Sequence, residues 1–328
     1  MNPAPRICVV GSSMNDQITR TSKLPRPGET LIGTSYKTGF GGKGSNQAVM
    51  AARLGAAVTI VVKLGRDSIG EQTARHYTDE AIRTDFVYFD ENLSSGVAPI
   101  WVDEQTGQNS ILIVPGANLA LTPAEVRQAA GAIREAEVVV CQMEIPLHCN
   151  LEAFRLAREV PGRLTILNPA PSLPVPEELL RLSDLLTPNE TEAAALTGLP
   201  VSTADEAIRA AQELRGRGAN TVLITLGAQG ALALTPFNEV IRVTAPAVRA
   251  VDTTGAGDCF IGSLAYFLGA GFDLCLGMER ACVIASQSVM AHGTQASFPK
   301  RAELEPGLFA APPQLGERSR NCYRSGSA

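Results

Sequence analysis

Val138-Val139-Val140-Cys141 is a run of four apolar residues with no polar residue between them. Strands with one wet face alternate, so an unbroken apolar run reads as a strand buried on both faces. The same kind of run recurs at Leu164 to Leu167, at Leu185-Leu186-Thr187 and at Thr221 to Leu226. Helical patterns lie between them, over 151–159, 177–182, Thr191 to Leu196 and Ser202 to Arg215. Short buried strands separated by helices predict an α/β fold, a three-layer α/β/α arrangement with a mostly parallel central sheet. Ile7 to Val10 and Val58 to Leu64 supply two more such strands nearer the start. Thr122-Pro123-Ala124-Glu125 opens a further helix, with Thr as N-cap and Pro at the first helical position.

Two segments stand outside that alternation. Leu24-Pro25-Arg26-Pro27-Gly28-Glu29-Thr30 is too punctuated for a helix. Val97 to Val102 and Ser110 to Val114 flank Asp103-Glu104-Gln105-Thr106-Gly107, a hairpin pattern. Together they predict a small β-sheet lid built from about 15–40 and 95–115, inserted in one domain spanning 6–309. The polar, punctuated tail over 310–328 is expected to be disordered.

Composition narrows the class of function. The chain has 328 residues, 45% hydrophobic and 19% charged, with a formal net charge of −5. An acidic chain without a basic run lacks the electrostatic footprint for nucleic acid or an anionic membrane. No apolar run approaches the roughly 20 residues that span a bilayer. The expected location is the cytoplasm, with the nucleus also open. The seven cysteines include no C-x-x-C pair and sit largely in apolar runs. They read as buried free thiols rather than as a disulfide frame or zinc site. The three histidines, His76, His148 and His292, share no ligand spacing and read as structural or solvated.

The chemistry concentrates in two glycine-containing segments. Asp252-Thr253-Thr254-Gly255-Ala256-Gly257-Asp258 precedes a helical face of Phe260, Ile261, Leu264, Phe267 and Leu268. Glycines at a helix start let backbone N–H groups face an anion, where the helix dipole adds positive potential. Asp258 beside them is placed as a base for a hydroxyl proton in phosphoryl transfer. Gly39-Phe40-Gly41-Gly42-Lys43-Gly44 likewise leads into a helix beginning Ser45-Asn46. It is not a Walker A loop, since Gly44 follows Lys43 where Ser or Thr is needed, and not a dinucleotide fingerprint. Close backbone approach to a small polyhydroxylated ligand is the alternative. Asn15-Asp16 and Glu144 follow strands and could present carboxylates. Asn189-Glu190-Thr191-Glu192 reads equally as a pair of polar ligands or as a capping box.

Gly41 to Asn46 and Asp252 to Asp258 resemble the two signatures of the ribokinase-like (PfkB) carbohydrate kinases. Further matches run from about Ile7 to Phe309: Pro27-Gly28-Glu29-Thr30, Pro115-Gly116-Ala117-Asn118, Asn168-Pro169-Ala170-Pro171, Thr187 to Ala193 and Gly293 to Pro299. The resemblance implies ATP-dependent phosphorylation of the ribose 5-hydroxyl. Asp258 would be the base, with Gly255, Ala256 and Gly257 as the anion hole. The sugar would meet Met14, Asn15, Asp16, Gly42, Lys43, Gly44, Ser45, Asn46 and Glu144, besides Asp258. ATP would lie against Asn189, Gly257 and the turn Thr225-Leu226-Gly227-Ala228-Gln229-Gly230, with Glu192 organising Mg2+ through water. An activating monovalent cation, K+, would be held by Asp252, Thr254, Ser288, Ala291, Gly293 and Ser297. The family further implies a homodimer formed through the lid, whose hairpin carries Val97, Ile100, Ile111 and Ile113. Met14 stands where many members have Asn, and Cys282 where His or Asn is common.

Other readings stay open at this point. The substrate could be another sugar or a nucleoside, such as deoxyribose or fructose. A non-catalytic sugar-binding protein would be expected to lose Asp258 or its glycines, and both are present. A nicotinamide dehydrogenase lacks its fingerprint here.

Overall fold

The computed structural model describes residues 3–106, 108–310 and the backbone of 322–325. In chain order the strands are β1 (Arg6–Val10), β2 (Met14–Thr21), β3 (Ser35–Gly41), β4 (Ala57–Gly65), β5 (Arg83–Asp90), β6 (Gly96–Asp103) and β7 (Asn109–Ile111). They continue as β8 (Val138–Cys141), β9 (Leu164–Leu167), β10 (Leu185–Leu186), β11 (Thr221–Thr225), β12 (Ala231–Leu234), β13 (Val240–Val243) and β14 (Cys322–Ser325). The helices are α1 (Lys43–Arg53), α2 (Ser68–Asp79), α3 (Pro123–Gln128), α4 (Ala130–Glu135) and α5 (Leu147–Arg158). After them come α6 (Glu177–Leu182), α7 (Glu190–Thr197), α8 (Ala204–Gly216), α9 (Ala256–Gly269) and α10 (Leu274–Ser288).

Ten strands form one sheet in the order β14-β13-β12-β11-β10-β9-β8-β1-β4-β5. From β11 to β5 every pairing is parallel; β12, β13 and β14 extend the edge antiparallel. Strand alternation explains why the apolar runs are unbroken. Ile7, Val9, Val138 and Val140 point into a core shared with α1, α9 and α10. Cys8, Val10, Val139 and Cys141 point into the opposite core, under α3 to α8. The three layers expected from the sequence are present.

The chain leaves β1 toward β4 and β5 on one side and returns to β8 on the other. That reversal opens a crevice beyond the carboxyl ends of β1 and β8, the usual ligand position in such sheets. A second sheet, β3-β2-β6-β7, rises from the same edge. Its root is clamped by Asn118, whose Oδ1 accepts from Ser13 N at 2.8 Å and whose Nδ2 donates to Ser13 O at 2.8 Å. Thr122 and Glu125 form the anticipated capping box at the start of α3.

Three features differ from the sequence reading. The segment with α2 and β5 is absent from the sequence reading, although β5 carries the apolar run Phe86 to Phe89 between Asp85 and Asp90, half-buried at the sheet edge. The expected disordered tail contains β14, which pairs antiparallel with β13; 311–321 and 326–328 lie outside the described residues. Edge strand β13 offers unpaired N–H and C=O groups, which favour an added strand whatever the tail composition. The cysteines are not all free. Cys8, Cys141, Cys149, Cys259 and Cys282 are buried thiols, but Cys275 is disulfide-bonded. It sits at the start of α10, which packs on β13 and β14, so tertiary return of the chain and not sequence spacing decides its fate. Among the described residues no helix is long and apolar enough to cross a membrane.

Candidate active site

Two helix starts meet at the crevice. The first belongs to α1, whose N-cap Gly42 has φ 86°, and a Cβ there would lie 2.6 Å from Met14 N. One residue into the helix, a Cβ on Gly44 would lie 2.5 Å from Ser12 N. The glycines therefore let α1 press against the backbone beyond β1. Contact at that depth places Lys43 N–H 2.9 Å from Glu144 Oε2, which also accepts from Ser12 Oγ at 2.5 Å. A carboxylate at a helix N-terminus is favoured by the dipole and the unpaired first-turn amides.

The second helix start is α9. Gly255 is its N-cap, with φ 80°. Gly257 is exposed, with nothing within 4 Å of where a Cβ would stand, so this amide face is open. Of the three expected anion-hole groups, Ala256 N–H is turned back to Thr253 O at 3.2 Å. Asp258 follows and is buried. Its Oδ2 accepts from Asn46 Nδ2 at 2.9 Å and its Oδ1 from Gln47 Nε2 at 2.8 Å. Gln47 is the residue that sequence reasoning misses. Next to Asn46 on an apolar helix it looks like filler, yet it also donates to Asn168 Oδ1 at 3.2 Å and accepts from Gln142 Nε2 at 2.7 Å. Both carboxylate oxygens are thus fixed, each with a lone pair left for a substrate hydroxyl.

β2 delivers the third carboxylate. Met14 and Asp16 alternate onto the buried face of the strand. Asn15 is a correction to the expected sugar set: alternation turns it to the opposite face, where its amide donates to Gly39 O at 3.4 Å. Gly44 and Ser45 serve as scaffold, Ser45 N–H donating to Ser12 O at 2.8 Å. Thr294 Oγ1 lies 3.1 Å from both Asp16 Oδ2 and Phe40 O, and its single proton serves one at a time. Burial raises the Asp16 carboxyl to about 6; the Thr294 hydroxyl opposes the rise, and the Glu144 and Asp258 charges add to it. Folding therefore favours neutral Asp16, so this group costs stability as pH rises from the ordinary carboxylate range through about 6. Binding runs the other way, because a hydroxyl donor needs the carboxylate. We expect kcat/KM for the sugar to fall as pH drops below about 6; a profile flat through that region, measured at saturating nucleotide, would contradict this role.

Lys43, Asn168, Asn189, Glu192, Thr225, Gly257 and Asp258 line one cleft of about 150 Å³. A larger groove of about 270 Å³ beside Leu173, Leu180 and Leu214 lacks convergent polar groups and lies apart from this chemistry. Burial lowers the Lys43 ammonium, but Asp258, Glu144 and Glu192 together outweigh it and hold the pKa above its ordinary value. Burial also raises the Glu192 carboxyl, against the pull of Asn189 N–H and Lys43. Asn189 and Glu192 do form a capping box at the start of α7, and both still face the cleft. Leu226 N–H closes on Gly230 O at 2.8 Å, so Thr225 to Gly230 is a tight turn leading into β12 with Gly227, Ala228 and Gln229 exposed.

Behind α9, Asp252 Oδ1 accepts from Thr254 Oγ1 at 2.7 Å and Oδ2 from Gly293 N–H at 2.9 Å. Burial opposes ionisation of Asp252, and those hydrogen bonds overcome it, holding the pKa low. Of the more distant residues expected here, Ser288 and Ser297 are buried, while Ala291 is exposed. The donors here are hard oxygens, and no cluster of three His, Cys, Asp or Glu occurs among the described residues.

Comparison with known proteins agrees with the fold. Residues 4–301 match the model of the pfkB family carbohydrate kinases. The chain is 43% identical to a mouse ribokinase over 93% of this chain and 95% of the relative. It is 41% identical to a deoxyribokinase of Salmonella typhi, over 89% and 95%. The structure of an Arabidopsis thaliana ribokinase complexed with ribose and ATP superimposes with a TM-score of 0.86 at 33% identity, covering 92% of this chain and 97% of that one. On motif, fold and whole-chain match together, this chain belongs to the pfkB family of carbohydrate kinases.

Proposed function

We propose that the protein transfers the γ-phosphoryl group of ATP to the 5-hydroxyl of D-ribose, giving ribose 5-phosphate and ADP. The observation that carries this is the Asp258 carboxylate, pinned through both oxygens at the start of α9. The sugar oxygen attacks phosphorus, the bond to ADP breaks, and the hydroxyl proton passes to Asp258. A weak base suffices, since positioning and charge stabilisation dominate such transition states. The open amide of Gly257, the α9 dipole and the Lys43 ammonium face the charge that develops on the phosphoryl oxygens. Asp258 lines the cleft, Glu144 sits on the Lys43 N–H at the start of α1, and both charges are near enough to raise the Asp16 carboxyl. Three carboxylates suit the hydroxyl donors of a neutral sugar and repel one already phosphorylated. ATP would lie over Asn189 and the Thr225 to Gly230 turn.

Glu192 is the carboxylate on the cleft wall suited to hold Mg2+ through water, neutralising phosphate charge when the ion is bound. Asp252, brought to the 288–297 segment by its hydrogen bond from Gly293 N–H, would hold K+ as an activator together with oxygens of Thr254, Ser288, Ala291, Gly293 and Ser297. A second sugar is favoured by one feature. Met14 is buried beside Asn118 Nδ2, and a thioether is a poor hydrogen-bond partner where a sugar hydroxyl would need one, which suits a 2-deoxy sugar. ADP release with ribose, deoxyribose and fructose, each with Mg2+ and with K+ or Na+, tests the reading. Ribose is expected to turn over best and faster in K+; turnover only with another sugar would overturn the choice of substrate. The exposed Tyr36, Trp101, Ile111 and Ile113 on the lid support a homodimer through that sheet. Sedimentation at the mass of one chain would exclude it.

A further inference from the structure

Every polar link on one side of Asp258 has a direction, and the carboxylate sets it. An ionised carboxylate only accepts, so Asn46 must turn its NH2 group to Asp258 Oδ2. Asn46 Oδ1 then faces Gln295 Nε2 at 2.9 Å. The other proton of that amide reaches Ser45 Oγ, also at 2.9 Å. Gln295 Oε1 must therefore accept, and His76 Nε2 lies 2.7 Å from it. His76 accordingly carries a proton on Nε2. Ser45, Asn46 and Gln295 are 0%, 3% and 3% exposed, so water does not replace a missing partner. The imidazole is itself stacked on Phe40 of lid strand β3, with centroids 3.9 Å apart and planes 5° from parallel.

We propose that His76 is a positioning residue for phosphoryl transfer: its Nε2–H fixes the Gln295 amide, hence Asn46, hence the Asp258 carboxylate, and links their orientation to the lid. Without that donor Gln295 Oε1 is left buried with no proton to accept, which weakens the preference that Asp258 and Asn46 impose and lets the reversed amide compete. Its oxygen would then oppose Asn46 Oδ1, and relief requires Asn46 to turn its own oxygen toward the carboxylate. The inference rests on Asp258 acting as the base.

His76→Phe keeps a ring on Phe40 and removes the donor; His76→Gln removes the ring and keeps a donor. We expect His76→Phe to lose about tenfold in kcat with ribose KM within about twofold, since an orientation needed in the transition state is lost and not a sugar contact. His76→Gln should recover most of the loss. Unchanged kcat in His76→Phe, a loss confined to KM, or equal loss in His76→Gln would each overturn the proposal. If His76→Phe does not fold, Gln295→Met breaks the same link from the other side and should show the same kcat loss; wild-type kcat there is equally fatal. Asp258→Asn in the same assay separates the two claims. Wild-type turnover in that variant defeats the base assignment, whereas its inactivity beside a fully active His76→Phe defeats the relay alone.

Discussion

Asp258→Asn is expected to lower kcat by roughly 10²–10⁴-fold, the usual worth of a positioned general base. The substitution is nearly isosteric and removes the negative charge that receives the hydroxyl proton. Asn46 and Gln47 would still meet an amide oxygen on one side, but on the other an NH2 group would confront their donors. The variant should therefore fold and bind both substrates, and fail in the chemical step. ADP release at saturating ribose and ATP measures this directly. A kcat within a few-fold of wild type would remove Asp258 from the mechanism.

Gly44→Ala is expected to combine the largest loss of stability with a loss of sugar binding. The new Cβ would stand 2.5 Å from Ser12 N and 2.8 Å from Gly11 C and Cα. Backbone lies on both sides of the contact, so no side chain can rotate out of the way. Forcing α1 outward should cost about 2–3 kcal/mol, as overpacking of a tight interior does. For a domain of this size that corresponds to a fall of roughly 3–5 °C in Tm. The displaced helix also withdraws Lys43 N–H from Glu144 Oε2, so ribose KM should rise with it. Gly131→Ala is the control: its Cβ meets nothing within 4 Å on α4, and helix propensity makes it neutral or stabilising. Equal melting temperatures for the two variants would refute the close-approach account.

Much of the fold is legible because burial on two faces leaves a local signature. Val138 to Cys141 and Leu164 to Leu167 coincide with β8 and β9 residue for residue. Glu177 to Leu182 is α6. Half-buried elements are harder to read. β5 has Phe86, Val87, Tyr88 and Phe89 in a row, but they are largely aromatic, partly exposed along the sheet edge and flanked by Asp85 and Asp90, as a strand buried on both faces would not be. The site divides in the same way. Asp258 and Gly42 announce themselves, because a positive φ or a helix-start carboxylate is a local demand. Gln47, Asn168 and Thr294 do not, because a neutral amide or hydroxyl has no local signature until its partner arrives from elsewhere in the chain.

The layered α/β architecture and the family are legible in the sequence, because both depend on neighbours within one helix or strand. Only folding sets which face of β2 is buried, that Cys275 is bonded, and that β14 completes the sheet. It also sets the direction of the amide relay from His76 to Asp258, which joins residues up to 249 positions apart. Hydrogen-bond polarity is a property of a closed set of donors and acceptors, and only folding closes the set.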